Sequence, residues 1–499
     1  MILSMRGAIA LVALLLAVPA APPDVDDDLL SRVDSTLEES LSDTGVPGLA
    51  YAVVTPDGAQ RVGAFGHDGN DAPVTADTPF LWGSIAKPVA STAVLTLVES
   101  GQVELDAPVR RYLPEFDLAG PSDISRITVR HLLEQTSGFP EDTPLTDRFD
   151  EIGDPYERAV RDLADIAPQS EPGVAHTYSS VNYLIIGAIV EAVTGESYTS
   201  YLRRAVLEPL EMDTVIIEDS DGQGLPPGHR VTFGRPVAFD APYDPAGASY
   251  GGYMGGTVED LAAFATVHLN GGEVGGQRLL EAEQVAEAHE GAITLSDSMS
   301  YGLGWREDSR NQDLGTVTYW HGGAVSGYHA IVVLLPEAGY GLVVLQNAYS
   351  DLLDDQVVSV GLNAARILAG GTGEVPASAP AYWWLLVALS TVVVTGAALT
   401  VDTVRRLLGV RSAEGEGPAP ARRVWAPTLA WVLGAACVAW LAVVGFPAWA
   451  GFGMRTILLF TPDIGWLLVA IAATGICVAG LRIALAVVRT RARRSRGAV

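Results

Sequence analysis

Trp82-Gly83-Ser84-Ile85-Ala86-Lys87-Pro88 is the stretch on which the reading of this 499-residue chain turns. Beyond it, Val89, Ala90, Ala93, Val94, Leu97 and Val98 recur at helical spacing and stop near Gly101. The pattern predicts a helix with Ser84 at its mouth and Lys87 one turn in, on the same face. Backbone N–H groups at a helix start favour developing negative charge. A hydroxyl there, beside a neutral amine, is a candidate activated nucleophile. Pro88 is tolerable because it falls near the first turn. Of the 31 basic residues, 30 are arginine and Lys87 is the single lysine. Lysine can lose its proton when desolvated, whereas arginine effectively cannot. One lysine can survive by accident, and a serine three residues before it arises by chance about one time in twenty at average usage. The rest of the chain has to decide.

Further blocks follow in order. Ile127-Thr128-Val129-Arg130-His131-Leu132-Leu133 leads into Thr136-Ser137-Gly138-Phe139-Pro140. Tyr178-Ser179-Ser180-Val181-Asn182-Tyr183-Leu184 runs into Gly187. Then come Gly251-Gly252-Tyr253, Tyr301-Gly302-Leu303-Gly304-Trp305, and His321-Gly322-Gly323 with Gly327 beyond it. With these blocks, the chain from about Val46 to Ala369 resembles the serine β-lactamase and penicillin-binding protein superfamily, whose nucleophile lies in Ser-x-x-Lys. It is most similar to the branch of class C β-lactamases, D-amino-acid peptidases and family VIII esterases. The resemblance implies that Ser84 attacks a carbonyl to form an acyl-enzyme, with Lys87 and Tyr178 sharing the base work. It implies an oxyanion site between the backbone N–H groups of Ser84 and Ala324, with Ser180, His321 and Gly323 beside the substrate. Taken alone, Tyr178 reads as an ordinary core tyrosine.

Two departures bear on substrate. The second motif of the class C pattern is Tyr-x-Asn, and here it is Tyr178-Ser179-Ser180. Serine is shorter than asparagine and offers one hydroxyl, so recognition of a substrate amide is weakened or water-mediated. The third motif in β-lactamases is commonly Lys-Thr-Gly, and here it is His321-Gly322-Gly323. A fixed charge and a hydroxyl suited to a substrate carboxylate are missing, since histidine is mostly neutral at pH 7. Esters and uncharged acyl donors are therefore expected ahead of D-alanyl peptides and β-lactams. The His-x-Gly form occurs in the esterase and peptidase branches.

Local pattern agrees with the implied α+β fold. Leu29, Leu30, Val33, Leu37 and Leu41 repeat as an amphipathic helix. Leu49 to Val54, a Pro56-Asp57-Gly58 turn and Arg61 to Gly66 read as a hairpin. Val317 to Trp320, His329 to Leu335 and Leu342 to Gln346 read as strands, and Asp351 to Leu368 as a closing helix. Strands at both ends with helices between predict an antiparallel sheet flanked by helices. The helical lobe comes from the resemblance.

Outside this region the solvent changes. Residues 1–21 read as a signal peptide or signal anchor, with Arg6, an apolar run from Gly7 to Ala20, and small residues at Val18-Pro19-Ala20. Residues 22–370 form the expected hydrolase domain, and 371–380 a glycine-containing linker. Runs at 381–401, 425–446 and 464–488 are long and apolar enough to span a bilayer, the first opening with Tyr382, Trp383 and Trp384. Arg405, Arg406, Arg411, Arg422 and Arg423 lie between the first two runs, and five arginines lie in the tail 489–499. The loop between the second and third holds Arg455 alone. The positive-inside rule then puts the tail in the cytoplasm and the large domain outside, in a multi-pass cell-membrane protein.

The exported part carries most of the acidic residues, against a whole-chain charge of −28. Such a surface stays soluble in concentrated salt and hints at a salt-rich habitat. It leaves no basic footprint for nucleic acid. Two cysteines, Cys437 and Cys477, both in predicted spans, leave no disulfide scaffold or zinc module. The eight histidines form no His-x-x-x-His pair, so no metal and no cofactor are expected. The expected partners are a small acyl substrate and the lipid bilayer. A membrane-tethered serine hydrolase is the first reading. The other is a penicillin-binding or acyl-sensing ectodomain that is acylated, turns over slowly and signals through the spans.

Overall fold

The computed structural model describes residues 26–120, 124–149, 153–373, 378–409 and 421–496. Eight strands form one antiparallel sheet: β1 (Gly48–Thr55), β2 (Gly58–Gly66), β3 (Ile293–Ser296), β4 (Met299–Tyr301), β5 (Arg306–Asp308), β6 (Thr318–Val325), β7 (Tyr328–Leu335) and β8 (Tyr340–Gln346). Their spatial order is β2-β1-β8-β7-β6-β5-β4-β3. Strands from both ends of the domain thus pair one strand in from the β2 edge, where β1 meets β8 from Leu49 opposite Gln346 to Val54 opposite Gly341.

The central strands are buried on both faces and alternate strictly. Leu49, Tyr51, Val53, Ile331, Val333, Leu342 and Val344 face one layer. Ala50, Ala52, Val54, Ala330, Val332, Leu334, Val343 and Leu345 face the other. The first layer is made by α1 (Asp27–Thr44), capped by the Asp26 carboxylate, which accepts from Asp28 N–H at 3.0 Å. Its residues Leu30, Val33 and Leu37 are buried, each worth about 1.5–3 kcal/mol. The second layer is built around α2 (Ala86–Glu99), which is buried from Ala86 through Leu95 on every side. A helix that is apolar all round belongs at the centre of a core. Pro88 is its third residue, where no intrahelical N–H bond is lost. The helical lobe, including α3 (Val181–Thr194), and then α4 (Val258–Leu269) pack around α2 in one continuous core. The last domain helix, α5 (Asp354–Leu368), returns to lie beside α1.

The expected strand at Val317–Trp320 runs five residues further, to Val325. Gly322 and Gly323 disguise it, because glycine carries no strand signal. The short strands β3, β4 and β5 escaped the pattern altogether, being only 3–4 residues long.

Three C-terminal helices are long and apolar enough to cross a membrane: α6 (Pro380–Gly409), α7 (Ala421–Trp440) with its continuation through a π-helical turn to Ala450, and α8 (Pro462–Arg496). The apolar runs at 381–401, 425–446 and 464–488 fall within them. Large apolar side chains such as Trp384, Leu433 and Ile476 point outward and are exposed, which a lipid surface accommodates and water does not. Residues 1–21, four linker residues (374–377) and the loop 410–420 lie outside the described residues. The first of the tail residues continue α8.

Candidate active site

A 3-10 turn, Gly83–Ile85, delivers Ser84 to the start of α2. The turn begins at a glycine because Gly83 has φ +55°, and an added Cβ there would lie 2.4 Å from Ala324 N. Ser84 is part-exposed and Lys87 is fully buried. Lys87 Nζ lies 3.0 Å from Ser84 Oγ, 3.2 Å from Ser180 Oγ and 2.6 Å from the Tyr250 carbonyl. It also sits 4.8 Å from the centre of the Tyr178 ring. Burial pushes the amine below its ordinary range; Tyr178 opposes this, and Arg306 adds to it. The carbonyl of Tyr250 can only accept. A neutral amine that donates to Tyr250 O and Ser180 Oγ therefore has its lone pair left for the Ser84 hydroxyl.

β6 supplies the facing wall. β5 pairs with Thr318–Trp320 alone, so beyond Trp320 the edge of β6 is taken by the nucleophile turn. An ideal Cβ on Gly323 would stand 1.9 Å from Trp82 O and 2.8 Å from Ser84 N. The turn and the strand thus touch backbone to backbone, a closeness only glycine permits. The same packing sets Ala324 against Gly83, the residue before Ser84.

Ser84, Tyr178, Gly323 and Ala324 line one cleft of about 610 Å³, together with Met299, Arg306, Trp320, His329 and one face of α5. That size suits a small molecule. Ser180 and His321 are not among its lining residues. Ser180 ends at Lys87, and its hydroxyl makes no capping bond to α3. His321 is turned the other way. It is fully buried, with Nε2 3.1 Å from Tyr301 Oη and Nδ1 2.7 Å from Gly322 O. Strand alternation is the reason: Trp320, Gly322 and Ala324 share the cleft face, and His321 takes the opposite one. Burial, with Arg306 and Lys87 nearby, pushes His321 well below its ordinary range, so the ring stays neutral. It lies behind the strand, against Tyr301 and Tyr178.

Sequence reasoning missed Arg306. It stands opposite Trp320 in the β5–β6 register, 4.7 Å over that ring and 5.8 Å from the Tyr178 ring. Among the described residues it forms no ion pair within 4.0 Å, although it lines the cleft. It directly follows the block Tyr301–Trp305, and that adjacency was the available signal.

A sheet whose glycine-rich strand packs against a Ser-x-x-Lys turn with a buried lysine is the arrangement of the β-lactamase/transpeptidase fold. The chain belongs to the beta-lactamase family, whose model matches residues 33–359. It is 31% identical over 312 residues to penicillin-binding protein 4 of Amycolatopsis lactamdurans, covering 60% of this chain and 81% of that protein. It is 24% identical over 329 residues to protein flp of Staphylococcus aureus (strain MRSA252), covering 65% of this chain and 64% of that protein, so it spans just under two thirds of that relative. Among solved structures it is similar to a D-stereospecific amidohydrolase from Streptomyces sp., with a TM-score of 0.53 and 25% identity over 64% of this chain and 94% of that one.

Proposed function

We propose that this chain is a membrane-tethered, extracytoplasmic serine hydrolase that works through an acyl-enzyme on Ser84. The observation that carries the reading is the buried Lys87 amine 3.0 Å from Ser84 Oγ. Ser84 Oγ forms the new bond to the acyl carbon while its proton passes to Lys87 Nζ. The carbonyl oxygen takes the negative charge between the amides of Ser84 and Ala324. The bond to the leaving group breaks as that group takes the proton, with Tyr178 beside Lys87 as a second proton carrier. Water then repeats the sequence and frees Ser84. The arginine-rich first loop and tail support a cytoplasmic C-terminus and an outer catalytic domain.

Small esters and uncharged acyl donors come first as substrates, because neutral His321 offers no fixed charge. Arg306 favours a second class. Its guanidinium in the cleft, with no ion pair within 4.0 Å among the described residues, can hold a substrate carboxylate, the task of the missing Lys-Thr-Gly lysine. Arg306→Ala is expected to raise KM about tenfold for an acyl donor bearing a carboxylate. The same change should leave a neutral ester within about threefold of wild type. Equal effects on both donors would remove the carboxylate class.

Pre-steady-state hydrolysis of a nitrophenyl ester tests the main reading. A burst of one nitrophenol per Ser84, followed by steady turnover, is expected. A burst without turnover would make the chain an acyl sensor, and no burst in folded protein would reject the acyl-enzyme. The burst rate is expected to rise with pH and level off below the ordinary lysine value of about 10.4. The sign follows from the direction of the shift: a depressed pKa leaves the amine neutral, and so basic, at lower pH. A rate still climbing past that value would contradict a desolvated Lys87.

A further inference from the structure

One segment between the second and third apolar helices contacts two parts of the domain that lead to the cleft, without lining the cleft itself. Gly451–Thr461 joins the second and third spans and ends where α8 begins. On one side it holds the segment 141–149. The Asp142 carboxylate accepts from Gly453 N–H at 2.6 Å and from the Thr456 hydroxyl at 3.3 Å. Arg455 donates to the Asp147 carbonyl and lies 5.4 Å over the Phe149 ring. On the other side, the Ser326 hydroxyl donates to Leu459 O at 2.9 Å. Phe460 packs edge-on against Tyr349, which stacks on the cleft residue His329.

These contacts lead straight to the reacting groups. Asp147 N–H donates to Tyr250 Oη at 2.8 Å, and Arg148 N–H donates to Asp244 at 3.1 Å, which in turn accepts from the Tyr250 hydroxyl. The Tyr250 carbonyl is the 2.6 Å partner of Lys87 Nζ. Ser326 lies two residues beyond Ala324, whose amide is half of the oxyanion site. The loop is itself anchored at its far end. Asp463 is fully buried and accepts from Phe233 N–H at 2.9 Å and from the Tyr382 hydroxyl at 2.6 Å.

We propose that Gly451–Thr461 braces the catalytic cleft from outside its lining, and that Asp142 and Arg455 are positioning residues that set Lys87 through the segment 141–149 and Tyr250. The inference rests on Ser84 being the acylated nucleophile. It gives the second and third spans a task that a single anchoring helix would not perform: they fix a segment that braces the parts of the domain behind Lys87 and Ala324.

The test is fluorophosphonate labelling of full-length protein in lipid nanodiscs, with rate followed against probe concentration. Serine oxygen displaces fluoride at phosphorus, its proton passing to Lys87. Asp142→Ala and Arg455→Ala are expected to lower the maximal labelling rate about tenfold, since small misplacements of reacting groups cost one to two decades. The half-saturating probe concentration should move less than about threefold, because the probe itself does not touch the loop. Arg455→Lys, which can still donate to the Asp147 carbonyl, should recover most of the rate. Arg278→Ala, on an exposed distant hairpin, is the control. Should an alanine variant fail to fold, the isosteric Asp142→Asn is expected to lose about threefold, since one acceptor remains. Wild-type rates in the folded variants would overturn the brace. Absence of labelling in wild type would instead reject the nucleophile.

Discussion

Lys87→Arg is expected to reduce acylation of Ser84 by about 10³-fold or more. The substitution keeps the charge and length that a structural ion pair would need, and removes only the capacity to be neutral. Lys87 is fully buried and touches Ser84, Ser180 and the Tyr250 carbonyl. A guanidinium there can donate to all three and accept from none, so the serine proton has nowhere to go. The rate of covalent labelling, read beside a thermal melt, separates lost base chemistry from lost fold. Activity within tenfold of wild type would mean that Lys87 is a structural residue and that Tyr178 alone carries the proton.

Gly323→Ala is the second large effect. Its Cβ would stand 1.9 Å from Trp82 O and 2.8 Å from the amides of both Ser84 and Ile85. Every atom in that overlap is backbone, so no side-chain rotation relieves it. The turn carrying Ser84 must back away from β6, which moves apart the Ser84 and Ala324 amides that the proposed mechanism uses for the oxyanion. A loss of about 10²-fold in acylation is expected, together with about 1–3 kcal/mol of stability. Gly322→Ala is the internal contrast for stability. The nearest atoms to its Cβ are 3.5 to 4.0 Å away, an ordinary contact. Its melting temperature should stay close to wild type, while that of Gly323→Ala falls.

Ser84 and Lys87 were legible because a helix fixes the relation of residues three apart, and because one lysine among thirty arginines stands out. The hairpin Gly48–Gly66 was legible from alternation around a turn. His321 was legible as a motif but not as a direction, since the face a strand residue takes depends on register, which pairing with β7 sets. Arg306 was hidden among the other arginines; only its place opposite Trp320 distinguishes it. The contact between Asp142 and Gly453 joins residues 311 apart, and no local pattern carries a pairing of that range. The three long apolar helices were plain in the sequence because runs of some twenty apolar residues without charge stand out. Their link to the domain runs through the short helix Met454–Phe460 and its flanks, whose partners lie some three hundred residues away in the chain.

The most direct measurement is mass mapping of the fluorophosphonate adduct on the full-length protein at high salt, with Ser84→Ala beside wild type. One adduct, on the peptide carrying Ser84, is expected in wild type and none in Ser84→Ala. An adduct on another serine, or an unlabelled but folded wild-type protein, would contradict Ser84 as the nucleophile.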